Sequence, residues 1–211
     1  MSGLFITFEG VDKAGKSTQI KKLAERFRNI GRNVLCTREP GGTPIGEELR
    51  ELVMKNRQEK ISDETELLLF SASRAQLLRE RIWPALNEDT VVLCDRFADS
   101  TTAYQGYARG MDLDFIKRLN NFALGNRWPD MTILLDLTVD ESFARLDNVL
   151  KSTAAASDRF EIEGRRFHEK VRNGFLAIAE ENPQRFTVIS AAQSVDAISE
   201  QIWEAVQNRL F

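Results

Sequence analysis

Leu4-Phe5-Ile6-Thr7-Phe8 runs into Glu9-Gly10-Val11-Asp12-Lys13-Ala14-Gly15-Lys16-Ser17-Thr18, and Ser17 opens an amphipathic run to Ile30 with Ile20, Leu23, Ala24 and Phe27 on one face. A β-rich run, a loop of the form G-x4-G-K-S and a helix pattern, in that order, is the setting of a phosphate-binding loop. The chemistry accounts for each residue type. Glycines let backbone N–H groups turn inward on phosphate oxygens, and the lysine brings a point charge to the β and γ phosphates. The serine hydroxyl suits Mg²⁺, and the helix N-terminus adds a partial positive charge. The segment Gly10, Val11, Asp12, Lys13, Ala14, Gly15, Lys16, Ser17 and Thr18 is therefore the expected nucleotide-binding site.

Outward from this loop the same alternation continues. Asn33–Thr37, Val91–Cys94, Thr132–Leu135 and Phe186–Ile189 read as further strands. Thr43 can cap a helix with Pro44 at its first position, running to about Lys55. Ser62 starts a longer helix reaching Pro84. Phe160, Gly164, Phe167, Val171, Phe175 and Ile178 step at helical spacing, and Val195–Leu210 is a last helix. Five buried-type strands, each followed by a helix, predict an α/β fold: a five-stranded parallel sheet with helices on both faces, in one domain spanning 1–211. Ligands in such sheets bind at the carboxyl ends of the strands. Ser152-Thr-Ala-Ala-Ala-Ser157 reads as a mobile loop, with a helix continued through the alanines as the alternative.

Composition removes other classes. Lys plus Arg is 29 and Asp plus Glu is 32, a formal net charge of −3, which argues against broad nucleic-acid binding. One histidine, His168, and two cysteines, Cys36 and Cys94, exclude a His- or Cys-rich metal site and a disulfide framework. Two buried thiols in a reducing cytoplasm are expected. The longest apolar runs, such as Leu67–Phe70, are about four residues against the roughly 20 of a membrane span, and no secretory signal is visible.

Val91-Val-Leu-Cys-Asp95-Arg96 places a carboxylate and a guanidinium just past a strand on the phosphate-loop edge. Asp95 is positioned like the acid that holds Mg²⁺ through water beside a phosphate loop; Asp136, after Ile133–Leu135, is its rival. No N-K-x-D base-reading motif of regulatory GTPases occurs. A switch NTPase is the alternative class, and it would hydrolyse nucleotide slowly without an acceptor.

Several stretches together resemble the thymidylate kinase family: FEGVDKAGKSTQ (Phe8–Gln19), TREPGGTPIGEELR (Thr37–Arg50), LLLFSASRAQ (Leu67–Gln76), DRFADSTTAYQG (Asp95–Gly106) and DRFEIEG (Asp158–Gly164). The resemblance implies transfer of the ATP γ-phosphoryl group to dTMP, a need for Mg²⁺, a homodimer and a lid at about 150–158. A kinase of another deoxynucleoside or its monophosphate is the nearest rival. Phe70 and Arg74 lie four apart on one helix and face the same way, so Phe70 can lie under a pyrimidine while Arg74 donates to its edge. Thymine offers the acceptor O4 there, where cytosine offers an amine donor that would leave a guanidinium unpaired. Ser100 and Thr101 are small hydroxyls after the Asp95-Arg96 turn; the match makes both substrate-binding, with Thr101 near the base edge, Gln105 over it and Tyr104 close to the sugar. It gives the acceptor phosphate to Arg96 and Arg50, and makes Glu161 a carboxylate closing onto the acceptor side. Asp12 acts through Mg²⁺-bound water or a sugar contact. Lys16, Lys13, Asp12 and Arg96 form the implied catalytic set, with Ser17 and Asp95 at the metal.

The chain departs from the family at Lys13. Many members have glycine there and arginines in the lid; others have a basic residue, usually arginine, in the loop and no catalytic arginine in the lid. Here Lys13 accompanies a stretch, Lys151–Ser157, without arginine. Lys13 is thus expected to supply the missing charge, with Arg159 sharing the role.

Overall fold

The five short apolar runs become five strands, three with a neighbour on either side and two edge strands with one neighbour to pair with. The computed structural model describes residues 3–56, 58–153 and 159–210. In chain order the strands are β1 (Phe5–Glu9), β2 (Val34–Arg38), β3 (Val91–Asp95), β4 (Met131–Asp136) and β5 (Phe186–Ser190). They form one parallel sheet in the order β2-β3-β1-β4-β5. The central strand β1 is buried along its whole length. Its alternation divides the core into two layers. Ile6 and Phe8 join Val91 and Leu93 on one face of the sheet, and Phe5 joins Val92 and Cys94 on the other. The edge strand β2 pairs only with β3 and is half-exposed. Cys36 therefore lies at the surface, correcting the expectation of two buried thiols, while Cys94 is buried.

The helices are α1 (Lys16–Asn29), α2 (Pro44–Met54), α3 (Asp63–Leu77), α4 (Trp83–Asn87), α5 (Ala98–Thr101), α6 (Leu113–Leu124), α7 (Val139–Thr153), α8 (Arg165–Glu181) and α9 (Val195–Leu210). Among them, α1 buries Ile20, Leu23, Ala24 and Phe27, with Phe27 edge-on to Trp203 of α9 at 5.6 Å. The Thr43 hydroxyl caps α2 by accepting from the Gly46 N–H at 3.0 Å, with Pro44 in its first turn. Ser62 caps α3 in the same way through the Thr65 N–H.

Two helical readings shift. The run from Ser62 does not stop at Pro84 but continues through a π-helical turn, Leu78–Ile82, into α4. That wider turn ends two residues before Pro84, whose missing N–H interrupts ordinary α-helical bonding. Phe160 and Gly164 fit the period of α8 yet lie before it, with Gly164 extended at its N-cap. A second π-helical turn, Thr102–Ala108, follows α5 and carries Tyr104 and Gln105. The expected lid at about 150–158 lies, from residue 154 on, outside the described residues. No helix among the described residues is long and apolar enough to cross a membrane.

One buried ion pair ties these elements together. Arg74 of α3, wholly buried, forks onto Glu39 just past β2, with Nε at 2.8 Å and an amino nitrogen at 2.6 Å. It also donates to Asn120 of α6 at 2.6 Å and to the Thr101 hydroxyl. Burial raises the Glu39 carboxyl pKa, and Arg74 pulls it back without cancelling the rise. Breaking such a pair strands a charge, so Arg74→Ala is expected to cost about 3–5 kcal/mol of unfolding free energy in urea titrations. A loss below about 1 kcal/mol would mean that Glu39 finds another partner or is neutral in the fold.

Candidate active site

The parallel register of β1 and β3 pairs Phe8 with Asp95, so the loop leaving β1 and the turn leaving β3 emerge side by side. In the first loop Gly10 has φ 134°, and a β-carbon there would lie 2.4 Å from the Leu135 carbonyl oxygen. Only glycine fits this close approach. Lys13, at φ 59°, occupies the left-handed region without being glycine. Val11 and Ala14 turn their side chains into the core, leaving only their backbone for a ligand. The Lys16 ammonium folds back on the carbonyls of Val11 at 2.9 Å and Gly10 at 3.2 Å. Burial, with the nearby Arg96 charge, lowers its pKa to about 8.

The Ser17 hydroxyl donates to Asp95 Oδ2 at 2.7 Å. Asp136, the rival acid, is engaged by Arg172 through two hydrogen bonds of 2.7 and 2.8 Å. Asp95 is therefore the carboxylate that faces the phosphate loop. No group of three or more His, Cys, Asp or Glu among the described residues could hold a metal by itself. A hydroxyl and a carboxylate oxygen fit Mg²⁺, which usually takes one or two protein oxygens and completes its shell with phosphates and water.

Beyond Asp95 the chain turns sharply. Arg96 has φ 65° and sends its guanidinium back across the sheet edge. It donates to the Gly10 carbonyl at 3.0 Å, to Ser100 Oγ at 3.3 Å and to Asp12 Oδ1 at 2.6 Å, and it stands over the Tyr104 ring at 5.2 Å. Burial alone would raise the Asp12 pKa, but Arg96 and Lys16 outweigh it and hold the carboxyl at about 2. Burial works against the Arg96 charge too, yet Tyr104, Asp12, Glu9 and Asp95 more than compensate, so its pKa is raised. Glu9, not singled out from sequence, closes the turn by accepting from the Phe97 N–H at 2.8 Å and the Ser100 hydroxyl at 2.6 Å. Burial, and then the charge of Asp99, push its pKa up to about 8. The available signal was a glutamate ending a strand that is otherwise apolar or small.

Two adjoining cavities meet at this point. The smaller, about 600 Å³, is walled by Phe70, Tyr104 and Phe160 and edged by Asp12, Arg50, Arg96, Ser100, Thr101 and Gln105. The wider cleft, about 1370 Å³, opens along Lys13, Gly15, Lys16, Ser17, Thr18, Asp95 and Glu161. Asp12, Glu39, Arg50 and Arg96 line both. Arg50 also donates to the Pro40 carbonyl at 3.1 Å, and Lys13 pairs with Glu161 at 2.9 Å.

Arg74 is the residue placed differently from the sequence expectation. It does not line the smaller cavity but lies behind Thr101 and Glu39, which do. The four-residue spacing to Phe70 gave the right face of the helix but not the depth of its partner acid. Arg159, expected to share the role of Lys13, likewise faces elsewhere: it donates to the Val53 carbonyl at 3.0 Å and to Glu66. Among the lining residues that the sequence reading did not assign to the site, two make contacts that shape it. Phe160 packs against Phe70 and Tyr104, with ring centroids 5.9 and 5.7 Å apart. Arg145 reaches the wider cleft from α7, donating to the Lys13 carbonyl at 3.2 Å.

Comparison with known proteins agrees with this geometry. The family model described as thymidylate kinase matches residues 8–202. A thymidylate kinase of Pseudomonas fluorescens is 48% identical over 210 residues, covering 100% of this chain and 98% of the relative. That of Syntrophotalea carbinolica is 45% identical over 208 residues, covering 98% and 96%. The crystal structure of thymidylate kinase from Ehrlichia chaffeensis superposes with a TM-score of 0.78 at 35% identity, covering 98% of this chain and all of that one. With the phosphate loop, the Asp95-Arg96 turn and the aromatic cavity joined at one sheet edge, and with these relatives matched from end to end, the chain belongs to the thymidylate kinase family.

Proposed function

We propose that the chain transfers the γ-phosphoryl group of MgATP to dTMP, giving dTDP and ADP. The observation that carries this reading is the pair of cavities sharing Asp12 and Arg96 at their junction. The wider cleft holds the donor phosphates: backbone N–H groups of the loop and the Lys16 ammonium take them once Lys16 leaves the carbonyls of Gly10 and Val11. Mg²⁺, held by Ser17 and through Asp95, would neutralise charge on the phosphate oxygens when bound. The smaller cavity holds dTMP, with its base between Phe70 and the Tyr104 side, its sugar by Tyr104 and its phosphate toward Arg96 and Arg50.

Base reading follows from the buried pair. Arg74 donates to the Thr101 hydroxyl oxygen, which leaves that hydroxyl's own proton for an acceptor on the base edge. Thymine presents O4 there and cytosine an amine. Deprotonation is no obstacle, because the acceptor phosphate is already ionised near neutral pH, its second pKa being about 6. His168, the one histidine, supports a reaction without a general base: it is buried with Nε2 at the Phe160 carbonyl and lines neither cavity. Catalysis then rests on positioning and charge neutralisation. The homodimer reading is supported by large apolar side chains left exposed on two helices that pack on each other, Phe115 and Phe122 of α6 and Leu68 of α3. The net charge of −3 argues against broad nucleic-acid binding and leaves a small phosphorylated ligand to the local arginines and lysines.

ADP release measured across all nucleoside monophosphates tests the assignment. Activity with dTMP should exceed that with dCMP by about a hundredfold or more, the scale set when a polar site loses its partner. Equal rates, or ADP release that needs no acceptor, would contradict it.

Lys13 supplies the cation that lid arginines supply elsewhere in the family. Its ammonium waits on Glu161 in the wider cleft, close to the γ-phosphate path. A group acting on the spreading charge of the transition state lowers kcat and kcat/KM together when removed. Lys13→Gly is expected to lose about 10²-fold in both, with dTMP affinity little changed. Glycine accepts φ 59° freely, so unfolding should show no loss of stability. Turnover near wild type would remove Lys13 from the mechanism.

A further inference from the structure

Glu66 has no part in the assignments above, yet it is the most heavily engaged carboxylate near the smaller cavity. It sits in the first turns of α3, one helical turn before Phe70 and two before Arg74, and its side chain is wholly buried. Gln105 donates to its Oε1 at 2.7 Å. Arg109, just after the π-helical turn, reaches both its oxygens at 3.4 and 3.3 Å, and Arg159 donates to Oε2. One carboxylate thus touches two guanidiniums and a cavity-lining amide, with Asp63 and Glu163 also on Arg109. A carboxylate has about four acceptor positions, and these contacts use them.

The partners matter more than their number. Arg159 is the first described residue after the lid stretch, and it is anchored three more ways. Its Nε donates to the Val53 carbonyl at 3.0 Å, its backbone N–H donates to the Met54 carbonyl at 3.2 Å, and its guanidinium covers the Phe160 ring at 4.6 Å. The next two residues are Phe160, which walls the smaller cavity, and Glu161, which pairs with Lys13 in the wider cleft. Val53 and Met54 end α2, the helix that carries Arg50. Arg109 meanwhile binds Glu163 at 2.7 Å, on the far side of the same segment.

We infer that Glu66 is a positioning residue for acceptor binding: it fixes the Gln105 amide directly and, through Arg159, sets Phe160 against the smaller cavity. This rests on the reading of the smaller cavity as the dTMP site. Glu66 touches no substrate itself. Without its charge, Gln105 is free to turn and Phe160 loses its clamp, so the acceptor loses two walls, while Lys16, Ser17 and Asp95 keep their own contacts.

The test is Glu66→Gln, which keeps volume and an amide oxygen but removes the charge. The expected result is a rise of about tenfold or more in KM and calorimetric Kd for dTMP, the scale of a charge-assisted hydrogen bond, with KM for ATP and kcat within about threefold. Arg159→Gln should give the same split. The double variant should be little worse than either single one, because both remove one clamp. A merely structural role would move kcat, both KM values and the melting temperature together; that result, or unchanged dTMP affinity, would overturn the inference. Should Glu66→Gln not fold, Arg159→Gln decides alone, since Arg159 is partly exposed and lies outside the core. Wild-type enzyme run in parallel separates the two claims. Lack of dTMP-dependent ADP release in the wild type would sink the acceptor reading itself, whereas an active wild type with an indifferent Glu66→Gln sinks only this one.

Discussion

The ion pair between Arg96 and Asp12 is the constraint on which the rest depends. It joins the loop after β1 to the turn after β3, and it forms because parallel pairing sets Phe8 beside Asp95. Two backbone costs are accepted there, the left-handed conformations of Lys13 and Arg96, each worth about 1–3 kcal/mol when a side chain bears it. Glu9 below and Tyr104 beside the guanidinium hold the turn in place. What results is a fixed positive centre at the junction of two cavities, with its charge secured by the acids around it. Phosphoryl transfer asks little covalent chemistry of a protein and much of its charge placement. This junction is suited to that demand.

Behind the junction, three buried carboxylates each have an arginine partner. Glu39 has Arg74, Glu66 has Arg159 and Arg109, and Asp99 has Arg185. Such pairs add little net stability over apolar packing, but removing either member is costly. Their effect is to fix the arginines and amides that stand behind the cavity wall to within hydrogen-bond tolerance. The selectivity proposed for Thr101 depends on this, since its hydroxyl can point its proton outward only while Arg74 occupies its oxygen.

Much of this was legible in the sequence, and for a physical reason. The phosphate loop, the strand pattern and the caps at Thr43 and Ser62 are local features whose chemistry lies within a few residues. The five-stranded parallel sheet followed from them. Phe70, Ser100, Thr101, Tyr104, Gln105, Arg50 and Arg96 do line one cavity, as the family motifs implied. What did not follow was long-range pairing. Nothing near Arg74 announces Glu39, 35 residues away, and so the arginine seemed open to ligand when it is closed on an acid. Arg159 was misdirected for the same reason, its partner Glu66 lying 93 residues earlier. Phe160 matched a helical period and was absorbed into it, although α8 begins only at Arg165. Asp95 and Asp136 end the two strands that flank β1, and the Ser17 and Arg172 pairings tell them apart.

The central claim, that donor and acceptor meet across the Asp12–Arg96 junction, is tested most directly by a crystal structure with a bisubstrate inhibitor, adenosine and thymidine joined through a polyphosphate chain, in the presence of Mg²⁺. The account predicts thymine against Phe70 in the smaller cavity, the polyphosphate passing Arg96 and Lys16, and adenosine on the Arg145 side of the wider cleft. Thymidine bound in the wider cleft, or a polyphosphate that bypasses Arg96, would contradict it.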